Sequence, residues 1–417
     1  MPVGRRGGGV RRARRAARRS PDRNPALPRR AQRATAAHLP RAAAGSVQDS
    51  GAYDLQRRTA PTTRHRQNRP SRVEGEVRGL ITAPKPDGHP AVAHGRVGVL
   101  LINLGTPDAP DPGAVRRYLA QFLSDPRVIE IPAIAWKPIL HGIILRTRPK
   151  KSAHAYRQVW TNEGSPLAAI TRRQTEALRR RLGGDVIVEF AMRYGNPGIA
   201  SVVDRMLSAG CDRILAAPLY PQYCAATTAT AQDALFAALA SVRRQPALRT
   251  LPPHHDDPAY IGALKANIER QLGGLGFAPQ RLLLSFHGMP QRTLELGDPY
   301  HCHCQKTARL LSEQLSIPTD IAFQSRFGRA KWLEPATDSV LASYPSQQVK
   351  RIAIAAPGFS ADCVETLEEL ALRGRDTFIA AGGTDLAVLE CLNDSDEGMQ
   401  MLDALIRREL AGWLPGA

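Results

Sequence analysis

The sequence predicts an α/β protein built from two similar, doubly wound parallel-sheet domains that face each other across a cleft. Two observations support this prediction. After residue 95, short apolar segments alternate with stretches of helical periodicity, which is the pattern of parallel βαβ units. In addition, three segments of the first half match three of the second half in the same order: 105–107 with 288–290, 188–195 with 321–328, and 213–220 with 351–358.

The positive charge of the chain is concentrated at its beginning. The formal net charge is +19, and residues 1–95 hold 21 of the 57 Lys and Arg residues but only 6 of the 38 Asp and Glu residues. This segment is rich in Arg, Ala, Pro and Gly, so we expect it to be disordered. We favour the interpretation that it is an upstream extension without a role. A tail that binds nucleic acid or a membrane and an organelle transit peptide are the alternatives. The rest of the chain is nearly neutral, so we expect no nucleic-acid partner for it.

These features divide the chain into four parts. We predict a disordered extension (1–95), an N-terminal Rossmann-like domain (96–250), a C-terminal Rossmann-like domain (251–392) and a C-terminal amphipathic helix within 393–417. The apolar runs predict strands at 97–104, 186–190, 214–217, 281–286, 320–325 and 351–356. The helical periodicity predicts helices at 111–123, 170–182, 198–209, 226–241, 258–272, 302–315, 332–343, 362–374 and 397–411.

Residues 129–148 form an unusually apolar connection in the first domain. The segment is rich in Ile and Leu and carries basic residues at its end, with two further lysines directly after it. It is too short to cross a bilayer, which takes about 20 apolar residues. It suits an apolar lip that contacts a flat ligand or a membrane surface. A packed core helix is the alternative.

His287 stands at the end of a predicted buried strand and is followed by Gly288 and Pro290. In open α/β sheets, ligands bind in the crevice beyond the carboxyl ends of the strands. A neutral imidazole placed there can accept a proton or bind a borderline metal. The alternative is a core histidine that merely ends a strand.

Three carboxylates follow the third strand of the second half. Asp362, Glu365 and Glu369 are spaced i, i+3 and i+7, which places them on one helical face. Like charges in a row repel one another, and such a row suits a path for a divalent cation or the acceptance of protons. For Asp362, a helix cap is the alternative.

The cysteines and the missing motifs narrow the function further. Six cysteines are scattered without a disulfide-framework spacing, and no signal-peptide apolar region precedes them, so we predict a cytosolic protein. Cys302 and Cys304 have a CxC spacing that does not match zinc ribbons, so a metal site there remains a minor hypothesis beside a plain helix start. The sequence has no Walker loop, no GxGxxG that opens a helix and no GxSxG elbow, which argues against nucleotide binding and serine hydrolysis.

From about Val97 to the C-terminus, the sequence resembles the ferrochelatase family. The resemblance is carried by eight motifs: Asn103-Leu-Gly-Thr-Pro107, Gly164-Ser-Pro166, Met192-Arg-Tyr-Gly195, Pro218-Leu-Tyr-Pro-Gln-Tyr223, Ser285-Phe-His-Gly-Met-Pro290, Gly297-Asp-Pro-Tyr300, Phe323-Gln-Ser-Arg-Phe327 and Pro357-Gly-Phe-Ser-Ala-Asp-Cys-Val-Glu-Thr-Leu-Glu-Glu369. It implies the chelatase form of the two-domain fold. It also implies a lyase that inserts Fe²⁺ into protoporphyrin IX, releasing two protons, in the final step of haem biosynthesis.

The resemblance also implies roles for individual residues. His287 matches the family's essential histidine, which takes pyrrole protons or binds the metal, and Glu365 matches its catalytic partner across the porphyrin. Glu369 matches the next carboxylate on the same helix, so His287, Glu365 and Glu369 are the implied metal ligands. Implied substrate-binding residues are Arg193, Tyr194, Tyr220, Trp332 and Asn103. Asn103 stands where members that metallate coproporphyrin often carry Tyr, which favours protoporphyrin.

The implied partners are protoporphyrin IX and ferrous iron, with iron as a substrate and no organic cofactor. Some members of the family hold a [2Fe–2S] cluster with cysteines near the C-terminus. Because no cysteine follows Cys391, we do not expect that cluster here. The lip at 129–148 is implied to close over the macrocycle and, in some members, to touch a membrane, so we expect a cytoplasmic protein that can rest on a membrane surface.

Two other functions stay open from the sequence alone. One is a related chelatase of the cobalamin or sirohaem pathway, which shares the fold. The other is a haem-binding or haem-transfer module without turnover, in which a change at Glu365 leaves function intact.

Overall fold

The structure is a computed structural model that describes residues 87–89, 93, 95–328 and 330–414. The predicted disordered extension (1–95) therefore lies almost entirely outside the described residues. The elements described below all belong to one unit of the chain.

The first half folds around a four-stranded parallel sheet. Its strands are β1 (Arg96–Gly105), β2 (Val186–Tyr194), β3 (Cys211–Pro218) and β4 (Ala247–Thr250). They are arranged in the order β2-β1-β3-β4, and every neighbouring pair is parallel. The helices of this half are α1 (Pro112–Leu123), α2 (Ala133–Ile139), α3 (Leu145–Val159), α4 (Pro166–Leu182), α5 (Ile199–Ser208) and α6 (Thr230–Ala240), with π-helices at Leu140–Ile144 and Ala225–Ala229.

The second half repeats this plan. Its strands are β5 (Arg281–His287), β6 (Thr319–Gln324), β7 (Arg351–Ala355) and β8 (Asp385–Val388), in the order β6-β5-β7-β8 and again all parallel. Its helices are α7 (Pro258–Gly273), α8 (Gln291–Glu295), α9 (Tyr300–Ser312), α10 (Thr337–Ser343), α11 (Arg375–Ala380) and α12 (Asp396–Leu410), with a 3₁₀-helix at Tyr344–Gln347 and a π-helix at Glu365–Gly374. The shared strand order confirms the predicted α/β class and the internal repeat.

Both faces of the central strands are buried, as expected when helices cover a parallel sheet on two sides. Along β1, Val99 and Leu101 belong to one hydrophobic cluster and Leu100 to another. The cluster that contains Val99 also contains Leu284 of β5. The inner faces of the two sheets therefore share one hydrophobic core, and this core fixes the strand ends of the two halves relative to each other.

The predicted C-terminal amphipathic helix is present as α12. It packs against α4 and α7 and contributes a buried stripe that includes Leu402, Leu405 and Ile406 to the shared core. Arg249 of β4 donates hydrogen bonds to the backbone carbonyls of Glu409 and Ala411 at the end of the helix. The C-terminal helix α12 thus follows the second half in the chain and packs against the first half.

Two imidazoles stack beside the shared core. One of them belongs to His303, which lies between Cys302 and Cys304. The rings of His255 and His303 are parallel, with centroids 3.6 Å apart. His303 Nδ1 accepts a hydrogen bond from the Tyr223 backbone N–H at 3.2 Å, so this ring is neutral at that nitrogen. Burial and the neighbouring His303 lower the pKa of His255 to about 4.

We expect Ile406→Ala to lower the free energy of unfolding by about 2–5 kcal/mol, because Ile406 is fully buried in the shared core. Urea unfolding measures this change. Ala404→Ser, on the exposed side of the same helix, is the matched control and should change stability by less than about 0.5 kcal/mol. A small effect of Ile406→Ala would show that α12 is not part of the cooperative core.

The stacked imidazoles make a prediction about acid stability. The pKa of an unfolded histidine is near 6.5 and that of partly buried His255 is about 4, so between these pH values the unfolded chain binds more protons. The contribution of neutral His255 to the free energy of unfolding is therefore complete above pH 6.5 and is lost as the pH falls from 6.5 to 4. Replacing His255 with Phe keeps a stacked ring and removes this titration, so the variant should lose roughly 2 kcal/mol less over that range. Urea unfolding at several pH values measures the difference, and His154→Phe, at an exposed position, should keep the original pH dependence.

Candidate active site

A cleft opens where the carboxyl ends of the two sheets meet. The space between its walls is about 800 Å³ when the open solvent at its mouth is included. Its walls come from the end of β1, the loop after β3, the end of β5 and the segment between β7 and the π-helix 365–374. Four of the predicted site residues line it: Asn103, Tyr220, His287 and Glu365.

His287 is oriented by its own backbone surroundings. Its Nδ1 lies 2.7 Å from the Gly288 carbonyl oxygen, and its carbonyl accepts a hydrogen bond from the Tyr300 hydroxyl at 2.9 Å. Because a carbonyl can only accept, Nδ1 carries the proton and the neutral ring has its lone pair on Nε2. The geometry therefore makes His287 a base that accepts a proton at Nε2, the ring nitrogen that makes no hydrogen bond to the backbone.

Glu365 begins the π-helix 365–374 and faces the same cleft. Cys363 is its neighbour, and burial together with the Glu365 carboxylate raises the pKa of that thiol well above its usual value. The hydroxyls of Tyr118 and Tyr156 also lie in this wall. Burial raises the pKa of both phenols, and the nearby Glu365 charge adds to the effect, so they stay neutral. Glu365 is thus a carboxylate in a largely apolar and aromatic wall.

The other two carboxylates of the predicted row do not line the cleft. Asp362 is buried and accepts hydrogen bonds from Thr366 Oγ1 at 2.8 Å and Asn393 Nδ2 at 2.6 Å. No side chain among the described residues caps the start of the π-helix, so the cap that we gave as the alternative for Asp362 is not formed either. Glu369 accepts from the Ser325 backbone N–H at 2.8 Å and from its hydroxyl at 2.6 Å. Only Glu365 of the three carboxylates faces the cleft.

Arg193 and Tyr194 lie behind the cleft in a polar network. Asp125 accepts a hydrogen bond from the Tyr194 hydroxyl at 2.9 Å and pairs with the Arg193 guanidinium. Arg193 Nε also donates to Thr230 Oγ1 at 2.7 Å, and its guanidinium lies 4.4 Å from the Tyr194 ring centroid. Hydrogen bonds from Thr230, the Arg127 backbone and Tyr194 lower the pKa of Asp125 against its burial, with the Arg193 charge adding to them, so the network holds a charged pair.

Trp332 lies beyond the end of β5, next to the lip. Its ring is buried, its Nε1 donates to the Phe327 carbonyl at 3.0 Å, and its ring packs 5.0 Å from that of Phe327. The Arg148 guanidinium of the lip lies 5.8 Å from the Phe327 ring. Trp332 therefore supports the loop that meets the lip rather than lining the cleft itself.

The lip itself exposes the apolar side chains that the sequence singled out. Ile134 is 88% exposed and Ile143 is 58% exposed, and Ile131 and Ile139 are also open to solvent. Leu140 and Leu145 anchor the segment in the interior. Exposure of the isoleucines favours the lip over the packed core helix. In the described part of the chain, no helix is long and apolar enough to cross a membrane.

Several cleft residues were not singled out from the sequence. Tyr118, Tyr156, Tyr300 and Leu104 all line the cleft. Asn103 hydrogen-bonds Thr171 through its Nδ2 at 3.0 Å, whereas the next residue, Leu104, is less buried. Tyr300 ends the motif Gly297-Asp-Pro-Tyr300, which was the one available signal for it.

Among the residues that the structure describes, no three His, Cys, Asp or Glu side chains converge closely enough to hold a metal ion. The set His287, Glu365 and Glu369 therefore remains a prediction as a group of metal ligands.

Comparison with known proteins identifies the family. The ferrochelatase family model matches residues 96–410. The ferrochelatase of Rhizobium meliloti (strain 1021) is 52% identical over 333 residues, covering 78% of this chain and 98% of that protein. The ferrochelatase of Methylibium petroleiphilum is also 52% identical over 333 residues, covering 78% of this chain and 92% of that protein.

Among solved structures, SirB from Bacillus subtilis with Fe³⁺ aligns with a TM-score of 0.48 at 12% identity, covering 76% of this chain and 97% of that one. The family match over residues 96–410 and the two relatives, matched over nearly their whole length, show that this chain belongs to the ferrochelatase family.

Proposed function

We propose that this member of the ferrochelatase family inserts Fe²⁺ into protoporphyrin IX, with His287 and Glu365 as its catalytic residues. The observation that supports this most directly is that an oriented base and a carboxylate line one cleft between the two sheets. Iron and porphyrin are both substrates. The product is protohaem, and two protons leave the porphyrin for every iron that enters.

The chemistry requires a proton acceptor next to the ring. Insertion replaces two pyrrole N–H bonds with bonds to one dication, so a group that accepts protons near neutral pH speeds it. In the neutral tautomer fixed by Gly288, His287 accepts at Nε2. Glu365 offers a carboxylate in the same cleft, where it can take the second proton or attract the incoming cation. The Tyr118 and Tyr156 phenols stay neutral and add no competing negative charge.

The walls of the cleft suit a flat apolar macrocycle. Leu104, Leu219, Tyr220 and Phe359 provide apolar and aromatic surface on several sides. Binding contacts of this kind can hold a porphyrin in a distorted shape that exposes its nitrogen lone pairs, with the strain supplied by contacts remote from the reacting centre. Arg193 and Tyr194 do not line the cleft themselves, but both lie near Tyr220, which does.

We expect His287→Ala and Glu365→Gln each to lower the rate of anaerobic Fe²⁺ insertion into protoporphyrin IX by about 10²- to 10⁴-fold. Absorbance of the product follows the reaction, and porphyrin fluorescence measures binding separately. Binding should change little, because the apolar walls remain. Glu295→Gln, which changes a carboxylate outside the cleft walls, is the matched control and should retain full turnover. Normal turnover of either site variant would overturn its proposed role.

The same assay separates this proposal from the two alternatives. A chelatase of another pathway would insert metal into a different tetrapyrrole and leave protoporphyrin unchanged. A haem carrier would bind porphyrin tightly without converting it, in the wild-type protein as well as in the variants.

We also propose that the enzyme is cytoplasmic and contacts a membrane surface through the lip. Residues 131–148 contain no acidic side chain, and the exposed isoleucines stand beside exposed Lys137, Arg146 and Arg148. An apolar edge flanked by basic side chains is the composition that binds the interface of an anionic bilayer. The apolar substrate and product would then enter and leave at the membrane surface.

Replacing Ile134 and Ile143 together with Ser should weaken binding to vesicles of phosphatidylcholine and phosphatidylglycerol by at least about tenfold, because each buried Ile contributes roughly 1.5–3 kcal/mol. Vesicle co-sedimentation measures the binding. The matched control replaces Leu372 and Ile379, which are exposed elsewhere on the surface, with Ser and should leave binding unchanged. Equal losses in both double variants would rule out a specific role for the lip.

A further inference from the structure

Gln324 lies between the two elements that carry the proposed catalytic residues. It is the last residue of β6 and is paired in register with His287 of β5. Only 3% of its surface is exposed, and its side chain forms hydrogen bonds at both ends of the amide. A buried amide with both ends bound holds its partners in one fixed arrangement.

One set of contacts fixes the strand that ends in His287. The Gln324 carbonyl accepts a hydrogen bond from the Gly288 backbone N–H at 2.7 Å, and its Oε1 accepts from the Ser285 hydroxyl at 2.7 Å. Gly288 is needed at this approach, since a Cβ there would lie 2.5 Å from the Gln324 carbonyl oxygen. Gln324 therefore forms hydrogen bonds on both sides of His287, with Ser285 before it and with Gly288 directly after it.

The other contact reaches the helix that carries the carboxylate. Gln324 Nε2 donates to the backbone carbonyl of Glu365 at 3.1 Å. Ser325, the next residue, donates two hydrogen bonds to the Glu369 carboxylate, one turn along the same π-helix. The end of β6 is thus tied to the beginning of this helix at the residue whose side chain faces the cleft.

We infer that Gln324 is a positioning residue that sets the placement of Glu365 relative to His287 across the cleft. This inference rests on the proposed catalytic roles of those two residues. Gln324 is not among the residues that line the cleft, so it acts through the Glu365 backbone. Misplacement of a reacting group by about 1 Å can reduce turnover about 10²-fold while substrate binding is preserved.

A double-mutant cycle tests the inference in the complete chain. Gln324→Met keeps the side-chain volume and removes both amide hydrogen bonds, and it should lower kcat for iron insertion by about 10- to 100-fold with less than about threefold change in porphyrin binding. Glu365→Asp keeps a carboxylate and measurable turnover. In the Glu365→Asp background, Gln324→Met should lower kcat by no more than about twofold, because residues that act through one another are not additive.

Three further variants test whether a loss of kcat comes from the hydrogen bonds of Gln324. Gln324→Glu can still accept from Ser285 but cannot donate to the Glu365 carbonyl, so it should reproduce the loss of kcat even if Gln324→Met folds poorly. Gln280→Met removes hydrogen bonds to the backbones of Gln348, Lys350 and Arg351 at the opposite end of β5 and should leave kcat unchanged. Glu365→Gln and the wild-type protein, measured alongside, report separately on the proposed role of Glu365 and on the proposed function.

The outcomes are distinguishable. Equal loss of kcat from Gln324→Met in both backgrounds, or a matching loss in Gln280→Met, would overturn the positioning role while leaving the proposed catalytic residues in place. Full turnover of Glu365→Gln would overturn the catalytic role proposed for Glu365, whereas a wild-type protein that inserts no iron would overturn the proposed function itself. A loss confined to the background with intact Glu365 supports the inference.

Discussion

The shared hydrophobic core between the two sheets is the constraint on which the active site depends. The inner faces of β1 and β5 contribute to one cluster, which α7 and α12 complete. Because all strands are parallel, the carboxyl ends of each sheet lie on one edge, and the common core brings these two edges to one cleft. His287 ends one strand of the second half and the π-helix that begins at Glu365 follows another, whereas Tyr220 follows a strand of the first half. Neither half alone would form the walls of the cleft.

Two of the three described π-helices contribute residues to the cleft, Thr227 and Glu365, and the third lies in the lip. The π-helix Leu140–Ile144 belongs to the lip, Ala225–Ala229 follows the segment that carries Tyr220, and Glu365–Gly374 begins at the proposed catalytic carboxylate. π-Helices are rare and occur frequently at functional sites. The hydrogen bond from Gln324 to the Glu365 carbonyl comes from outside the helix Glu365–Gly374 and helps to fix where it begins.

Much of this arrangement was predictable from the sequence, and the exceptions have physical causes. The family, the lyase class and the two-sheet fold are confirmed. Strands β4 and β8 were missed because four-residue edge strands carry too short a pattern to be recognised. The predicted helix at 332–343 begins only at Thr337, and Pro335, which cannot continue a helix, was the signal for this. The hydrogen bonds of Asn103 and Arg193 depend on Thr171 and Asp125, which are 68 residues away in the chain, so no local pattern reveals them.

The carboxylate row shows why spacing alone could not separate structure from chemistry. Asp362, Glu365 and Glu369 share a helical face in the sequence, but their availability is decided by donors from other segments. Asn393 and Thr366 bind Asp362, and Ser325 binds Glu369. Glu365 has the Cys363 thiol beside it, and a thiol is a weak donor. Its carboxylate therefore keeps most of its capacity to accept a proton or attract a cation, and this difference in partners favours Glu365 among the three as the residue that acts on the substrates.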